Sequence, residues 1–188
     1  NILGSEEEFN NYIEYAKQNK ISKEPKTQNG EKTIVEVVGG SGGKTLVVYG
    51  DGTVWERSGS RGARNNNPGN LNYATWQKDF NGIGNDKTGE ERNQFDIDGR
   101  TAVFKTREDG VRAYKHLVFE RYGNRTIDSM IESYAPPSEN NTAMYKREAK
   151  TGILGQYWGT KIKDLPAKEK ETLLKNMFRI EDGNGKYT

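Results

Sequence analysis

The chain lacks cysteine, has one histidine and contains no long apolar run. The absence of cysteine from its 188 residues excludes disulfides, thiol catalysis and cysteine-ligated metals. His116 is the only histidine, so a histidine-rich zinc site is excluded and a Ser-His-Asp triad would need that residue. No run approaches the roughly 20 apolar residues that span a bilayer, and the N-terminus lacks a signal-peptide pattern. We therefore expect no membrane span, metal or cofactor.

The chain also lacks a large excess of positive or negative charge. Lys and Arg number 29 against 27 Asp and Glu, which gives a formal charge of +2. Nucleic-acid binding needs clustered positive charge, whereas Arg61, Arg64 and the lysines are interspersed with acids, so we expect no nucleic-acid partner. Only 31% of the residues are hydrophobic, but 3 Trp, 10 Tyr and 6 Phe supply large side chains for a folded core.

The first sixty residues predict a helix and a small sheet. Ser5 and Glu8 have capping-box spacing and predict a helix over Ser5–Lys20, with a linker after it. Three β-branched and aromatic runs then predict an antiparallel meander, with an Asp51-Gly52 turn joining the last two: Thr33–Val38, Thr45–Tyr49 and Thr53–Arg57. Because so small a sheet is marginally stable alone, we expect it to pack on the main domain. The predicted domains are residues 1–30 (helix and linker), 31–60 (meander) and 61–188.

Two segments mimic ligand-binding motifs. Gly39–Thr45 resembles a phosphate-binding loop, but Lys44 is followed by a predicted strand, whereas the motif needs a helix N-terminus. A hairpin loop is the better interpretation. Gln94–Gly99 resembles the start of a calcium loop, but Lys105 occupies the twelfth position, where a bidentate Glu is required. We expect an Asp-Gly hairpin turn there instead.

Cap residues and terminators predict helices in the second half of the chain. The predicted helices run from Thr106 to Tyr122, from Thr126 to the Pro136-Pro137 pair, from Ser138 to Thr151 and from Asp164 to Asp182.

Glu181 is the most informative candidate residue. It follows Met177 by four positions and Phe178 by three, so it falls on the apolar stripe of the last helix. Partial burial and the negative end of the helix dipole both raise the pKa of a carboxyl group, which suits a general acid. The alternative is a helix-end Glu that reaches water or pairs with Arg179 or a lysine.

Two polar segments offer candidate ligand contacts. Asn65–Asn67 and Asn70 carry amides that can bind sugar hydroxyl and N-acetyl groups, although an ordinary polar turn has the same composition. Ala135–Tyr145 is a proline corner leading into Ser, Glu and Asn at a helix start, where helix capping explains most of the pattern.

Three blocks occur in order along the chain: RGARNNNPGNLNY, TAVFKTREDGVRAYKHLV and TIDSMIESYAPPSENNTAMY. Over roughly Arg61 to Gly183 this succession resembles a family of phage virion-associated peptidoglycan hydrolases. The resemblance implies an α+β, mostly α, lysozyme-like domain with a small β-hairpin, preceded by the short helix and the meander. It also implies a place in the virion and action in the bacterial cell wall or periplasm.

The blocks also resemble rearranged pieces of lytic transglycosylases. FRIEDG (Phe178–Gly183) is similar to the helix end that carries the catalytic Glu of those enzymes, but it comes last here. RNNNPGN is similar to the turn that follows that Glu, and PSENNTAMY to their late Tyr-containing segment. A circular permutation produces this order when the chain ends lie close together. Asp182 stands where those enzymes have Ser.

The resemblance implies that Glu181 protonates the glycosidic oxygen between N-acetylmuramic acid and N-acetylglucosamine. A transglycosylase then uses the same Glu as base, whereas a lysozyme needs a second carboxylate. Asp96 and Asp98 are the first candidates for this second carboxylate, unless both side chains point to solvent, and Glu139 is the next candidate. The expected sugar contacts are Asn67, Asn70, Ser138, Glu139, Asn141 and Tyr145. Tyr145 stacks on a sugar, places its hydroxyl near Glu181, or is a core residue.

Two functions from different classes follow. The first is peptidoglycan cleavage for local opening of the cell wall, with other virion proteins or the rest of a longer polypeptide as partners. The alternative is a non-catalytic glycan-binding or structural virion module that uses the meander and first helix for assembly.

Overall fold

The computed structural model describes residues 33–39, 44–86 and 100–182. The predicted helix Ser5–Lys20, its linker, and both Asp96 and Asp98 lie outside these residues. The described chain mixes helices and antiparallel strands, which confirms the α+β class. It divides into two compact units, residues 1–111 and residues 112–188.

The first unit contains a three-stranded sheet with strand order β1-β2-β3 and a hairpin formed by β4 and β5. The strands are β1 (Ile34–Gly39), β2 (Lys44–Tyr49), β3 (Val54–Ser58), β4 (Gly82–Asn85) and β5 (Ala102–Phe104). The predicted meander is confirmed, including its last turn, where Gly52 has a φ of 83° and Asp51 Oδ1 accepts a hydrogen bond from Thr53 N at 2.9 Å.

The glycine-rich loop joins two strands. Gly39 ends β1 and pairs with Leu46, while Lys44 begins β2 and pairs with Ser58 of β3. A strand rather than a helix therefore follows the glycines, which confirms the hairpin and excludes the geometry of a phosphate-binding loop.

The meander shares a hydrophobic core with the β4–β5 hairpin. A cluster joins Ile34, Val47 and Trp55 of the meander to Val103 of β5. Ile34 N also donates to Lys105 O at 2.9 Å. The expected packing of the sheet is confirmed. The predicted domain limits at residues 30 and 60 stay a prediction.

The asparagine-rich segment begins with a helical turn, α1 (Arg61–Arg64). Ser60 Oγ caps it by accepting from Ala63 N at 3.3 Å. Asn66 and Asn70 have φ values of 54° and 48°, a left-handed conformation that asparagine tolerates better than most residues. A 3₁₀ turn, Thr75–Phe80, leads into β4.

Helix α2 (Arg107–Lys115) contains the division between the units, which falls after Val111. Its predicted cap is confirmed, since Thr106 Oγ1 accepts from Asp109 N at 3.2 Å. The helix continues as a wider π-helical turn, His116–Arg121, and ends at the predicted Gly123, whose N donates to Glu120 O at 3.2 Å.

The second unit is helical in its described part. After the end of α2 it contains α3 (Ile127–Tyr134), α4 (Thr142–Ala149) and α5 (Ala167–Asp182), with 3₁₀ turns at Gly155–Tyr157 and Ile162–Asp164. All three helices are predicted, but α4 and α5 begin later than expected, and the predicted first residue of α5, Asp164, belongs to the preceding 3₁₀ turn. Asn141, not Ser138, is the N-cap of α4, because Pro136 O accepts from Glu139 N at 3.0 Å and closes a separate turn first.

The core of the second unit is built from one apolar face of each helix. Its buried side chains include Tyr114, Val118, Ile127, Met130, Ile131, Ala149, Leu173, Met177 and Phe178. Asn176 of α5 ties two helices together, since its Nδ2 donates to Ala149 O at 2.9 Å and to Thr151 O at 2.7 Å. None of the described helices combines the length and apolarity needed to cross a membrane.

Candidate functional site

Glu181 lies in the last turn of α5, next to buried residues. Met177 and Phe178, one turn earlier, are both buried, while Glu181 itself is partly exposed. The spacing predicted from the sequence therefore places a carboxyl group at the edge of the core of the second unit.

Tyr145 of α4 holds this carboxyl group. Its Oη donates to Glu181 Oε1 at 2.7 Å, and its side chain is only 4% exposed. Two of the three alternatives for Tyr145 hold together: its hydroxyl lies at Glu181 and its ring is part of the core. The position follows from the capping of α4, because Asn141 Oδ1 accepts from Met144 N at 3.1 Å and fixes the first turn that carries Tyr145.

Three more aromatic rings surround this pair. The ring centroids of Tyr134 and Tyr145 are 5.9 Å apart, and those of Tyr114 and Tyr134 are 5.8 Å apart, both edge to face. Phe178 continues the cluster at 4.8 Å from Tyr114. Edge-to-face packing of this kind stabilises a core beyond the area it buries. We call Tyr114, Tyr134, Tyr145 and Phe178 the tyrosine cluster.

The tyrosine hydroxyls of the cluster stay protonated. Burial raises the pKa of Tyr114 well above its ordinary value, and the charge of Glu181 raises it further. Burial is also the main cause of the raised pKa of Tyr145, with the charges of Tyr114 and Glu181 adding to it. Burial is also the largest cause of the raised pKa of Tyr134. Neutral phenols can donate hydrogen bonds to the Glu181 carboxyl group over the whole physiological pH range.

The proline corner before α4 is a solvent-facing turn. Ser138, Glu139 and Asn141 are exposed, and the Asn141 side chain is used as a helix cap. The turn is tied to the end of α3 by Thr142, whose Oγ1 donates to Ala135 O at 2.6 Å. Sugar contacts by Ser138, Glu139 and Asn141 stay a prediction.

Asn67 and Asn70 lie in the first unit and have different surroundings. Asn67 is 0% exposed, its Nδ2 donates to Leu71 O and Ala102 O at 2.9 Å each, and its Oδ1 accepts from Leu71 N at 3.0 Å. This amide therefore links the loop to β5, and the sugar contact of Asn67 stays a prediction. Asn70 is partly exposed, and its sugar contact stays a prediction.

A buried polar network around α1 was not predicted. Asp86 is 0% exposed, with Oδ2 at 3.2 Å from Arg61 Nε and accepting from Asn65 Nδ2 at 3.0 Å. Arg57 Nε donates to Arg64 O at 2.6 Å and so caps the end of α1. No local pattern in the sequence marks these contacts, because their partners lie 7 to 25 residues apart along the chain.

Metal-binding side chains do not converge in the described ranges. Within residues 33–39, 44–86 and 100–182, no group of three or more His, Asp or Glu residues is placed to hold a metal ion. At Glu181, the carboxyl group with a neutral phenol beside it can donate a proton, accept a proton and form hydrogen bonds.

Comparison with known proteins gives one informative relationship. No family model matches the chain. Over 134 residues it is 30% identical to Protein P5 of Pseudoalteromonas phage PM2, and the match covers 69% of this chain and 75% of the phage protein. An identity sustained over three quarters of a relative indicates common descent, and so the chain belongs to the family of phage protein P5.

Proposed function

We propose that the chain cleaves the glycan strand of peptidoglycan between N-acetylmuramic acid and N-acetylglucosamine, with Glu181 as the general acid. The observation that carries the proposal is the 2.7 Å hydrogen bond from Tyr145 Oη to Glu181 Oε1 at a partly exposed edge of the core. A carboxyl group held in one orientation can deliver its proton along a fixed direction, which is what a general acid requires.

The proposal covers two kinds of enzyme, a lytic transglycosylase and a lysozyme. A transglycosylase needs one carboxyl group, which first protonates the leaving oxygen and then takes the proton of the attacking muramoyl 6-hydroxyl. A lysozyme needs a second carboxylate. Asp96 and Asp98 fall outside the described residues. Of the candidates for that second role, only Glu139 is described, and it lies in the exposed turn before α4.

The relationship to a phage protein supports the biological setting of this proposal. An enzyme of this kind, carried in a virion with other virion proteins, would open the bacterial cell wall locally during infection. Such an enzyme would act outside the cytoplasm, where its peptidoglycan substrate lies.

A second function is a non-catalytic glycan-binding or structural virion module. It is favoured by the same hydrogen bond, because Tyr145 is buried in the tyrosine cluster and Glu181 supplies an acceptor for its hydroxyl. A buried phenol without an acceptor costs free energy, so Glu181 would then serve only the stability of the core.

Digestion of purified sacculi distinguishes the two functions. Wild type, Glu181→Gln and Glu171→Gln would be incubated with sacculi, and the soluble products read by mass spectrometry. Glu181→Gln keeps an acceptor for Tyr145 but loses the acid. Glu171 is a matched control on the same helix, exposed and paired with Lys175 at 3.1 Å.

We expect wild type and Glu171→Gln to release fragments at equal rates, and Glu181→Gln to be about 100-fold to 10,000-fold slower. Products about 18 Da below the reducing form, one water lighter, identify a transglycosylase. Equal release by Glu181→Gln would transfer the acid role to Glu139. Sacculus binding by all three proteins with no release would establish the non-catalytic module.

A further inference from the structure

The turn between α4 and α5 exposes two large apolar side chains. Leu154 is 59% exposed and Trp158 is 47% exposed, on either side of the 3₁₀ turn Gly155–Tyr157. Within the described part of the chain, only Val35 and Met144 are comparable large apolar residues at the surface. The two therefore form a local apolar projection, which we call the Leu154–Trp158 turn.

The polar groups of this turn are bonded within the turn itself. Trp158 Nε1 donates to Ile153 O at 3.0 Å, so the only polar atom of the indole is satisfied internally. The main-chain N–H groups of Tyr157 and Trp158 donate to Leu154 O at 2.9 Å and Gly155 O at 3.1 Å. Backbone groups that already have partners cost little to remove from water.

Lysines flank the turn on both sides. Lys150 Nζ lies 4.7 Å from the ring centroid of Trp158 and is paired with Asp128 Oδ1 at 2.9 Å. Lys161 and Lys163 follow the turn and are exposed. Asp164 follows them directly, so these three lysines stand against two acids, Asp128 and Asp164.

We propose that the Leu154–Trp158 turn docks on an anionic lipid surface, with Leu154 and Trp158 entering the headgroup region and the lysines contacting lipid phosphates. Tryptophan and leucine beside lysine are typical of segments that lie in a membrane interface. Each lysine close to an anionic surface adds attraction that weakens with salt.

Other occupants fit these observations less well. Protein interfaces are depleted in lysine at their centre, whereas Lys150 packs directly on the exposed indole. A glycan site needs polar groups aimed at hydroxyls, whereas the indole N–H and the main-chain donors of Tyr157 and Trp158 are used inside the turn. The proposal is independent of glycan cleavage, because Glu181 takes no part in it.

Vesicle flotation of the full chain tests the proposal. Large unilamellar vesicles of phosphatidylcholine alone would be compared with vesicles in which about a third of the lipid is phosphatidylglycerol. The variants are Leu154→Ser, the double change Lys161→Gln with Lys163→Gln, and Trp158→Phe. Met144→Ser is the matched control, because Met144 is a similarly exposed apolar residue, at 43%, on α4.

We expect wild type and Met144→Ser to float with the anionic vesicles and not with the neutral ones. The lysine double variant should bind about 30-fold more weakly, as about 1 kcal/mol for each of the two lysines implies. Leu154→Ser should bind about tenfold more weakly, because it loses the free energy of burying an apolar side chain. Brominated lipid should quench the fluorescence of wild type but not of Trp158→Phe.

Three outcomes would overturn the proposal. Failure of wild type to float would exclude lipid docking, and equal flotation of all variants would move the contact elsewhere. If wild type instead bound peptidoglycan, and Leu154→Ser and Trp158→Phe lost that binding with no effect on vesicles, the turn would be a glycan platform.

Discussion

The side-chain amide of Asn67, a loop residue, makes hydrogen bonds to main-chain groups of the kind that other main-chain groups usually make. Its amide makes three hydrogen bonds to main-chain groups of Leu71 and Ala102. Because the side chain is fully buried, these bonds are closed to water and to any ligand in this structure. The same residue type was predicted from the sequence as a sugar contact, and composition alone does not separate the two roles.

Replacing Asn67 by Ala tests which role it has. We expect Asn67→Ala to lower the free energy of unfolding by about 3 kcal/mol or more, because buried main-chain groups of Leu71 and Ala102 lose their partner. Urea denaturation followed by circular dichroism measures the change. Asn140→Ala, at an exposed position, is the control and should change stability by less than about 0.5 kcal/mol. Unchanged stability together with weaker glycan binding would show a sugar contact instead.

The candidate site was partly predictable at this scale. The position of Glu181 beside Met177 and Phe178 follows from helical spacing, which is a local property of the chain. The partnership of Tyr145 with Glu181 was one of several open alternatives, since the two residues are 36 positions apart. Asp86 and its contacts with Arg61 and Asn65 were missed for the same reason. Long-range pairs depend on packing that no local pattern records.

At the scale of the elements, the starts of helices were predicted best. Thr106 and Thr126 cap α2 and α3 through their own hydroxyl groups, as their spacing to Asp109 and Ser129 indicates. The start of α4 was predicted too early because Ser138 and Asn141 are both good cap residues. Ser138 lies in the turn that the hydrogen bond to Pro136 O closes, and Asn141 caps the helix. The π-helical turn His116–Arg121 carries no such cap signal.

Gly110 of α2 tests how closely this helix packs on the asparagine-rich loop. A Cβ atom at this position would lie 1.9 Å from Asn66 O, a backbone atom that has little freedom to move. We expect Gly110→Ala to destabilise the protein by more than about 3 kcal/mol, despite the higher helix propensity of alanine. Thermal unfolding by calorimetry measures the effect.

Gly159 provides the comparison for Gly110. A Cβ there meets nothing within 4 Å, so Gly159→Ala should leave the melting temperature within a few degrees of wild type. Equal melting temperatures for the two variants would show that α2 moves away from the loop at little cost. The contrast depends on backbone packing in the native structure, and the sequence contains no signal that separates the two glycines.

At the scale of the whole molecule, the net charge is nearly balanced, but the protonation of some buried groups is linked to folding. The net charge of +2 gives no steep dependence of stability on pH by itself. Tyr114, Tyr134 and Tyr145 differ in this respect, because all three have pKa values raised above the ordinary value near 10, chiefly by burial. Folding therefore holds three phenolic protons that an unfolded chain releases in mild alkali.

This linkage predicts unfolding in alkali. The stability associated with the neutral tyrosines is fully present below pH about 10, where the folded and unfolded chains both keep the protons. As the pH rises further, the unfolded chain loses protons that the folded chain retains, so stability should fall by about 4 kcal/mol per pH unit for these three residues. Urea unfolding at intervals from pH 8 to 11 gives the slope.

Tyr145→Phe isolates one of the three protons. Its slope above pH 10 should be shallower than that of wild type by about 1.4 kcal/mol per pH unit, because one linked group is gone. Tyr157→Phe removes a partly exposed tyrosine from the 3₁₀ turn outside the tyrosine cluster and serves as the control. If Tyr145→Phe and wild type lost stability in parallel, the buried phenols would not be linked to unfolding, and other groups would account for the alkaline limit. A shallower slope with Glu181→Gln as well would show that the carboxylate charge contributes to the raised pKa values, as its place among their causes implies.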